Sequence, residues 1–302
     1  MINKKIYYVR LHWKPLVLHT ILDILSWVIV MITIIGSLFA FLPIETSEWL
    51  KEWIQILLVL VWPVILALLL MIIIALVVNW PRTQTSYKDK STDIKVIIEC
   101  CDIFKQKGTK VIHVVDTFDM ELHRIITPHS LHGAFLRLCK TLGVNVEEEI
   151  DNALSDLQAL GEEQMLPGRR NRYKLGSLCP IQVDNEPYCC VAFTHLLPNG
   201  NIEITKDEYV ECLKTMWRNL SAPRIRNEEI NVAVMGNKFV DLPAEFSTEQ
   251  KIDLMIQTFF IVAREKRICR TLRICIHPSN VADVNFDNYA TIIEHLSKRP
   301  VI

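Results

Sequence analysis

Two long uncharged runs dominate the first 80 residues of the chain. They cover residues 24–42 and 53–80 and consist mostly of apolar side chains. About 20 such residues cross a bilayer as one helix, so the pattern predicts two transmembrane helices, over about 16–42 and 53–80. Basic residues precede the first run and follow the second, whereas the short connection is mostly acidic. The positive-inside rule therefore predicts a multi-pass cell-membrane protein with both termini in the cytoplasm.

From residue 92 to residue 302 the pattern changes to shorter segments that alternate between strand and helix periodicity. The polar residues 81–91 (PRTQTSYKDKS) separate this region from the apolar runs and are interpreted as a linker. Strands are predicted at 93–101, 109–117, 231–236 and 271–279, with two more over 177–196 around a turn.

Helices are predicted at 130–142, 146–160, 205–220, 247–266 and 288–298. Thr205 with Glu208, and Ser247 with Gln250, have the spacing of capping boxes at two of the helix starts. Strands that alternate with helices favour a mixed α/β layered domain, with a mixed sheet flanked by helices.

Composition and charge narrow the class of protein. The chain has 302 residues and a formal charge of −1, which gives no reason to expect a nucleic-acid partner. Its nine cysteines include no Cys-x-x-Cys spacing, and this suits reduced thiols in a cytosolic compartment. The adjacent pairs Cys100–Cys101 and Cys189–Cys190 lie in strand-like runs, and we interpret them as small core residues rather than metal ligands.

The common signatures of catalysis do not occur in the sequence. There is no His-Glu-x-x-His, Gly-x-Ser-x-Gly, Gly-x-Gly-x-x-Gly or phosphate-loop Gly-Lys-Ser/Thr pattern, and no histidine has metal-ligand spacing with a cysteine or carboxylate. We therefore expect a binding protein rather than an enzyme, without a metal or a resident cofactor.

Candidate binding residues follow the predicted strands, because ligands of open α/β sheets bind beyond the carboxyl ends of the strands. Three loops qualify: CDIF at 101–104, DTFD at 116–119 and GNKF at 236–239. A basic run, GRRNRYK at 168–174, is either an anion contact or a solvated loop.

The stretch ITPHSLHGAF (126–135) has a glycine in the first turn of a predicted helix. Ser130 is a suitable N-cap, and Gly133 lies three residues later. A glycine lets an anion approach the free N–H groups of a helix start, but it also lets a neighbouring segment pack closely. Both interpretations are open at this point.

Taken in order, these loops resemble a divergent macro domain, the fold that binds ADP-ribose. CDIF is similar to the Gly-Asp-Ile-Thr pattern whose aspartate contacts adenine, and VVDTFD stands where macro domains carry Val-Asn-Ala-Ala-Asn near the distal ribose. SLHGAF and MGNKF take the places of the two phosphate loops. The segments KLGSL, YCCVAFTHL and YVECLKTMW are similar to the membrane-spanning macro-domain effectors of type II Thoeris anti-phage defence, which carry two N-terminal spans.

The resemblance implies a signalling ligand, an ADP-ribose conjugate made by a partner TIR-domain enzyme, and a homo-oligomer that disrupts the inner membrane of the cell. The ligand-binding residues that it implies are Asp102, Ile103, Asp116, Asp119, Ser130, Leu131, His132, Gly133, Gly236, Asn237 and Lys238. Asp102 would hold adenine, the backbone at 130–133 and 236–238 would hold the diphosphate, and the other two aspartates would face a ribose or the appended group.

Two departures from the macro-domain pattern bear on activity. Asp116 and Asp119 replace asparagines that hydrolytic macro domains use, and the first phosphate loop retains only Gly133. Both argue against efficient hydrolysis and are compatible with recognition of a modified ADP-ribose. The alternatives are a membrane-anchored ADP-ribosyl hydrolase, an ADP-ribose reader without effector activity, and a scaffold that binds no ligand.

Overall fold

The chain divides into two compact units, Met1–Arg82 and Thr83–Ile302. The computed structural model describes residues 82–298, apart from 123–124, 165, 167, 223–227 and 237–245. Within residues 1–81 it describes four positions, all helical and exposed: Ser26, Val30, Leu69 and Leu70. The two predicted transmembrane helices otherwise lie outside the described residues. None of the helices in the described part of the chain has both the length and the apolar character that a membrane span requires.

An eight-stranded mixed sheet forms the centre of the second unit, in the order β1-β2-β10-β9-β3-β7-β6 with β8 paired to β7. Its five inner strands, β2, β10, β9, β3 and β7, run parallel, whereas β1, β6 and β8 are antiparallel to their neighbours. A separate ribbon joins β4 and β5. The strands are β1 Gln84–Lys88, β2 Lys95–Cys100, β3 Thr109–Val115, β4 Gly161–Glu162, β5 Asn171–Arg172, β6 Leu178–Val183, β7 Glu186–Leu196, β8 Ile202–Glu203, β9 Glu229–Ala233 and β10 Thr271–Ile276.

Helices cover both faces of this sheet. They are α1 Leu131–Leu142, α2 Val146–Leu154, α3 Lys206–Leu220, α4 Thr248–Glu265 and α5 Phe286–Lys298, with 3-10 helices at Ile103–Lys105 and Pro278–Asp283. Alternate side chains of β3 point to the two opposite faces of the sheet. Ile112 and Val114 join the core beneath α1 and α2, whereas the His113 ring contacts Phe193, which in turn contacts Tyr209 of α3.

Local signals in the sequence account for most element boundaries. The side chain of Ser130 accepts a hydrogen bond from the N–H of Gly133, which caps α1 as predicted. Both predicted capping boxes form, at the starts of α3 and α4. The β6–β7 turn places Asp184 and Asn185 at φ values of 51° and 62°, a conformation that these residue types tolerate better than most.

The predicted linker and the second predicted helix differ most from the structure. The predicted linker, residues 81–91, contains β1, which pairs along its whole length with β2. This segment is polar because β1 is an edge strand, and edge strands commonly carry polar side chains. The helix predicted at 146–160 ends at Leu154, since the chain turns there and continues towards β4. Leu160, the last residue of the predicted helix, is 71% exposed.

All nine cysteines are free and buried. Cys190 belongs to the core beneath α1 and α2, so its neighbour Cys189 points to the other face, as the strand alternation predicts. Burial raises the pKa of Cys189 to about 12, which keeps this thiol protonated and unreactive at neutral pH.

Candidate functional site

The ends of the five parallel strands define one edge of the sheet, which we call the carboxyl edge. The loops after β2, β3 and β9 start here, and so do α1 and the 3-10 helix after β10. Leu131, the first residue of α1, packs on a small apolar cluster formed by Cys101, Ile103 and Cys275, beside Ala233 at the end of β9. The structure therefore brings the 102–103 loop, the start of α1 and the end of β9 together.

The domain itself begins at this edge. The carbonyl oxygen of Thr83 accepts a hydrogen bond of 2.9 Å from the N–H of Cys100. Asp102 lies two residues further on. The chain segment that precedes the domain thus joins it beside the first candidate loop.

Asp102 and Ile103 differ in accessibility. The Asp102 side chain is 47% exposed, and its Oδ1 accepts a hydrogen bond of 3.1 Å from the N–H of Phe104, which caps the 3-10 helix. Its other oxygen lies 3.9 Å from the ammonium of Lys105. Ile103 is buried beneath the loop. The Asp102 carboxylate therefore has room to accept a ligand donor, whereas Ile103 positions the loop.

Gly133 is in close contact with the chain that leads into its own helix. A Cβ added to Gly133 would lie 2.3 Å from the carbonyl oxygen of Thr127 and 2.8 Å from the Cα of Pro128. The close-packing interpretation therefore describes what this glycine contacts. Its N–H is bonded to Ser130 Oγ at 3.0 Å. Among the described residues, no hydrogen-bond partner is seen for the N–H groups of Leu131 and His132, and these point to an anion-binding capacity of the helix start.

The His132 side chain is part of the core. Its Nε2 lies 3.3 Å from Met120 Sδ, and burial lowers the pKa of the imidazole to about 3. The ring is therefore neutral at physiological pH and adds no charge to the helix start. Any contact of His132 with an anion is restricted to its backbone N–H.

The Asp116 carboxylate is buried and bonded to protein groups, which differs from the expectation that it faces a ribose. Its Oδ2 lies 2.6 Å from Arg172 Nη1 and 2.8 Å from His195 Nδ1, and its Oδ1 accepts from the N–H of Leu196 at 3.1 Å. The hydrogen bond to Asp116 raises the pKa of His195. Arg172 also pairs with Glu163 at 2.6 Å, and His195 Nε2 lies 3.3 Å from Glu208 Oε1, so the cluster joins Arg172 and His195 to three carboxylates.

The Asp119 carboxylate likewise contacts protein groups rather than an open cleft. It accepts a hydrogen bond of 2.7 Å from the N–H of Arg169. A Cβ added to Gly168 would lie 1.8 Å from Asp119 Oδ2, so the loop can lie this close only with glycine at that position. The Arg169 side chain pairs with Asp151 at 2.5 Å. The basic run at 168–174 thus fixes local structure through Arg169 and Arg172.

Gly236 lies at the end of β9 with φ of 82° and is buried. Its carbonyl oxygen accepts a hydrogen bond of 2.6 Å from the ammonium of Lys251 on α4. Asn237 and Lys238, the other two residues predicted in this loop, lie outside the described residues.

Sequence reasoning missed His195 and Lys251 as members of the carboxyl edge, and it named Arg172 only within the basic run. A buried carboxylate needs a basic partner, but the sequence did not predict that Asp116 is buried, so it gave no reason to expect His195 beside it. Lys251 had a local signal. It stands in the first turn of α4, where the helix dipole disfavours a cation.

A depression of about 600 Å³ opens at the opposite edge of the sheet. Of its charged residues, Lys298 pairs with Glu294, and Lys88 pairs with Asp93, which is not part of the lining. It contains none of the predicted site residues. Within the described ranges, no group of three or more histidine, cysteine, aspartate or glutamate side chains is arranged to hold a metal ion.

A mixed sheet with a parallel centre, helices on both faces and the candidate loops gathered at the carboxyl edge is consistent with the macro-domain class. A sequence profile of the family described as Thoeris protein ThsA, Macro domain, matches residues 96–277. The match covers more than half of the chain, and the chain therefore belongs to this family.

Solved structures of the Oceanobacillus iheyensis macrodomain are similar to this chain. A mutant of it aligns with 71% of this chain and 100% of its own at 10% identity and a TM-score of 0.48. The macrodomain with ADP covers 71% and 100% at 12% identity and a TM-score of 0.41. A mutant with ADPR covers 72% and 100% at 10% identity and a TM-score of 0.41. No curated protein sequence matches the chain.

Proposed function

We propose that residues 92–302 bind an ADP-ribose-type nucleotide at the carboxyl edge and act as the sensor of a membrane effector in anti-phage defence. Membership of the Thoeris ThsA macro-domain family supports the defence role. The observation that carries the binding proposal is the packing of Leu131 on Ile103 and Cys101, which sets the start of α1 against the Asp102 loop.

Each part of such a nucleotide has a candidate partner. The exposed Asp102 carboxylate would accept a hydrogen bond from the adenine amino group. The N–H groups of Leu131 and His132 would donate to the diphosphate, since a helix start favours anions. Gly236 would contribute backbone to the second phosphate contact.

Binding without hydrolysis is the mode that the site geometry favours. Of the groups in the cleft, Asp116 and Asp119 were the candidates to activate a water molecule. Both are at most 3% exposed, and both accept hydrogen bonds from protein groups. A general base must reach the proton that it removes, so this arrangement supports a reader rather than a hydrolase.

The effector step rests on the N-terminal sequence. A partner TIR-domain enzyme would make the ADP-ribose conjugate, and its binding would favour self-association of the hairpins predicted at 16–42 and 53–80, with disruption of the inner membrane. For this to happen, the nucleotide must bind the assembled state more tightly than the resting state.

Calorimetric titration of the detergent-solubilised full chain with ADP-ribose tests the binding proposal. Asp102→Ser is the informative variant, because serine can still cap the 3-10 helix but is too short to replace the carboxylate at adenine. We expect Asp102→Ser to lower the affinity roughly tenfold or more, the loss expected for a hydrogen bond to a charged group.

Thermal unfolding of the same variant provides the control. An unchanged melting temperature together with the weaker binding would assign the effect to the ligand contact. A wild-type chain that binds neither ADP-ribose nor a conjugate of it would overturn the proposal.

A further inference from the structure

We propose that Lys251 supplies the positive charge that holds the diphosphate at the carboxyl edge. This inference rests on the proposed function and adds a residue to the site. The sequence pattern pointed only to backbone groups for this task. The reduction of the first phosphate loop to one glycine leaves fewer sites of close approach there, which makes a side-chain cation more important.

Lys251 has an unusual set of contacts for a half-buried cation. In the part of the chain that the structure describes, its ammonium contacts the carbonyl oxygen of Gly236 at 2.6 Å and no carboxylate. By contrast, other shielded cations, Lys110, Arg172 and Arg273, each pair with a carboxylate. A lysine ammonium has three donors, so two of them remain for a ligand.

The position of Lys251 is unfavourable without an anion. It is the fourth residue of α4, near the positive end of the helix dipole, and the same turn also carries Glu249. Burial lowers the pKa of its ammonium, which shows that its surroundings disfavour the charge. A negatively charged ligand would remove both penalties, because it would interact with the ammonium and with the helix dipole.

The location of the Lys251 ammonium matches the diphosphate rather than the adenine. It contacts the carbonyl oxygen of Gly236, three residues after β9. Ala233 at the end of β9 and Leu131 at the start of α1 both pack on the same apolar cluster. The ammonium therefore lies at the same edge of the sheet as the N–H groups of Leu131 and His132. The Asp102 carboxylate lies beyond them, after β2, on the far side of β10.

Titrations of the full chain in detergent with ADP-ribose, ADP and adenosine test this assignment. We expect Lys251→Gln to weaken the binding of ADP-ribose and ADP roughly ten- to a hundredfold, because a charge-assisted hydrogen bond is lost. The binding of adenosine should be unchanged. Lys251→Arg should recover most of the affinity. Equal weakening of adenosine would show a structural role and overturn the proposal, as would unchanged binding of ADP.

Lys206→Gln is the matched control. Lys206 begins the neighbouring helix α3, but its ammonium lies over the ring of Phe246 at 5.2 Å. We expect a change of less than about threefold for each nucleotide, since an exposed charge contributes little. If Lys206→Gln weakens ADP as much as Lys251→Gln does, general electrostatics accounts for the effect and the specific role of Lys251 is wrong.

Proton uptake gives a second readout. Binding of an anion beside Lys251 should raise its pKa, so the wild type should take up protons when it binds ADP at alkaline pH, whereas Lys251→Gln should not. Inorganic pyrophosphate separates this proposal from the proposed function. If the chain binds pyrophosphate through Lys251 but does not bind ADP-ribose, the role of Lys251 is retained and the proposed function is overturned. If the wild type binds neither compound, both proposals are overturned.

Discussion

At the start of α1, the backbone of Thr127 and Pro128 passes so close to residue 133 that a side chain has no space there. The glycine therefore has a steric reason that does not depend on a ligand. Several residues of the candidate site likewise have a structural role that does not depend on a ligand. Asp116, Asp119 and His132 are three more, since their polar groups contact other protein groups.

Gly133→Ala tests the steric explanation. Helix propensity alone favours alanine by about 1 kcal/mol, whereas overpacking costs about 1–3 kcal/mol. We expect overpacking to dominate, because the nearest atoms belong to the backbone and cannot rotate away. Urea unfolding should show a lower free energy of unfolding.

Gly161→Ala serves as the reference for that measurement. A Cβ added to Gly161 has no atom within 4 Å, so its effect should stay within about 0.5 kcal/mol. A Gly133→Ala protein as stable as the wild type would show that the contact with Thr127 is absent.

At the scale of elements, the sequence predicts what local physics controls. Caps at Ser130, Thr205 and Ser247 identify three helix starts, and strand periodicity identifies β2, β3 and β10. Prediction from the sequence fails where pairing between distant segments determines the secondary structure. The polar segment Gln84–Lys88 forms strand β1 only because it pairs with β2. Such a long-range contact leaves no local signal in the sequence.

Hydrogen exchange on the full chain tests the assignment of β1. The pairing with β2 in register, from Gln84 opposite Glu99 to Lys88 opposite Lys95, should protect the bonded N–H groups of both strands. We expect slow exchange within 84–88 and fast exchange at the exposed Lys90 and Ser91. Uniformly fast exchange over 81–91 would instead support a linker.

At the scale of the whole molecule, the candidate site combines predictable and unpredictable parts. The order of loops along the chain, and the rule that parallel strands end at one edge, place Asp102, Ser130 and Gly236 near one another. The partners of these loops come from distant segments. Neither Lys251 nor Arg172 has a sequence spacing that indicates its contact, because the contact depends on how α4 and the 168–174 segment pack.

The stability of the folded domain should depend on pH through His113 and His132, whose burial lowers their pKa to about 4 and about 3, and in the opposite sense through His195. The pKa of His132 falls to about 3 in the fold, against about 6.5 when unfolded, so the unfolded chain takes up a proton first and stability is lost as the pH falls below about 6.5. The pKa of His195 is raised by Asp116, so its contribution is present below about pH 6.5 and is lost as the pH rises through its folded pKa.

His132→Leu removes the contribution of His132 to the acid side of this dependence and leaves that of His113. Leucine cannot take up the proton, so the loss of unfolding free energy between about pH 7 and pH 5 should shrink by up to about 2 kcal/mol. Urea unfolding at the two pH values measures it, and His129→Leu, at an exposed position three residues earlier, should keep the wild-type difference. Parallel behaviour of the two variants would show that the His132 ring is not buried.

The hydrogen bond between Thr83 and Cys100 has a mechanical consequence. Whatever residues 1–82 do, tension on the polypeptide there is applied two residues from Asp102. A rearrangement of the Asp102 loop can therefore be transmitted to residues 82–83 without any signal crossing the sheet.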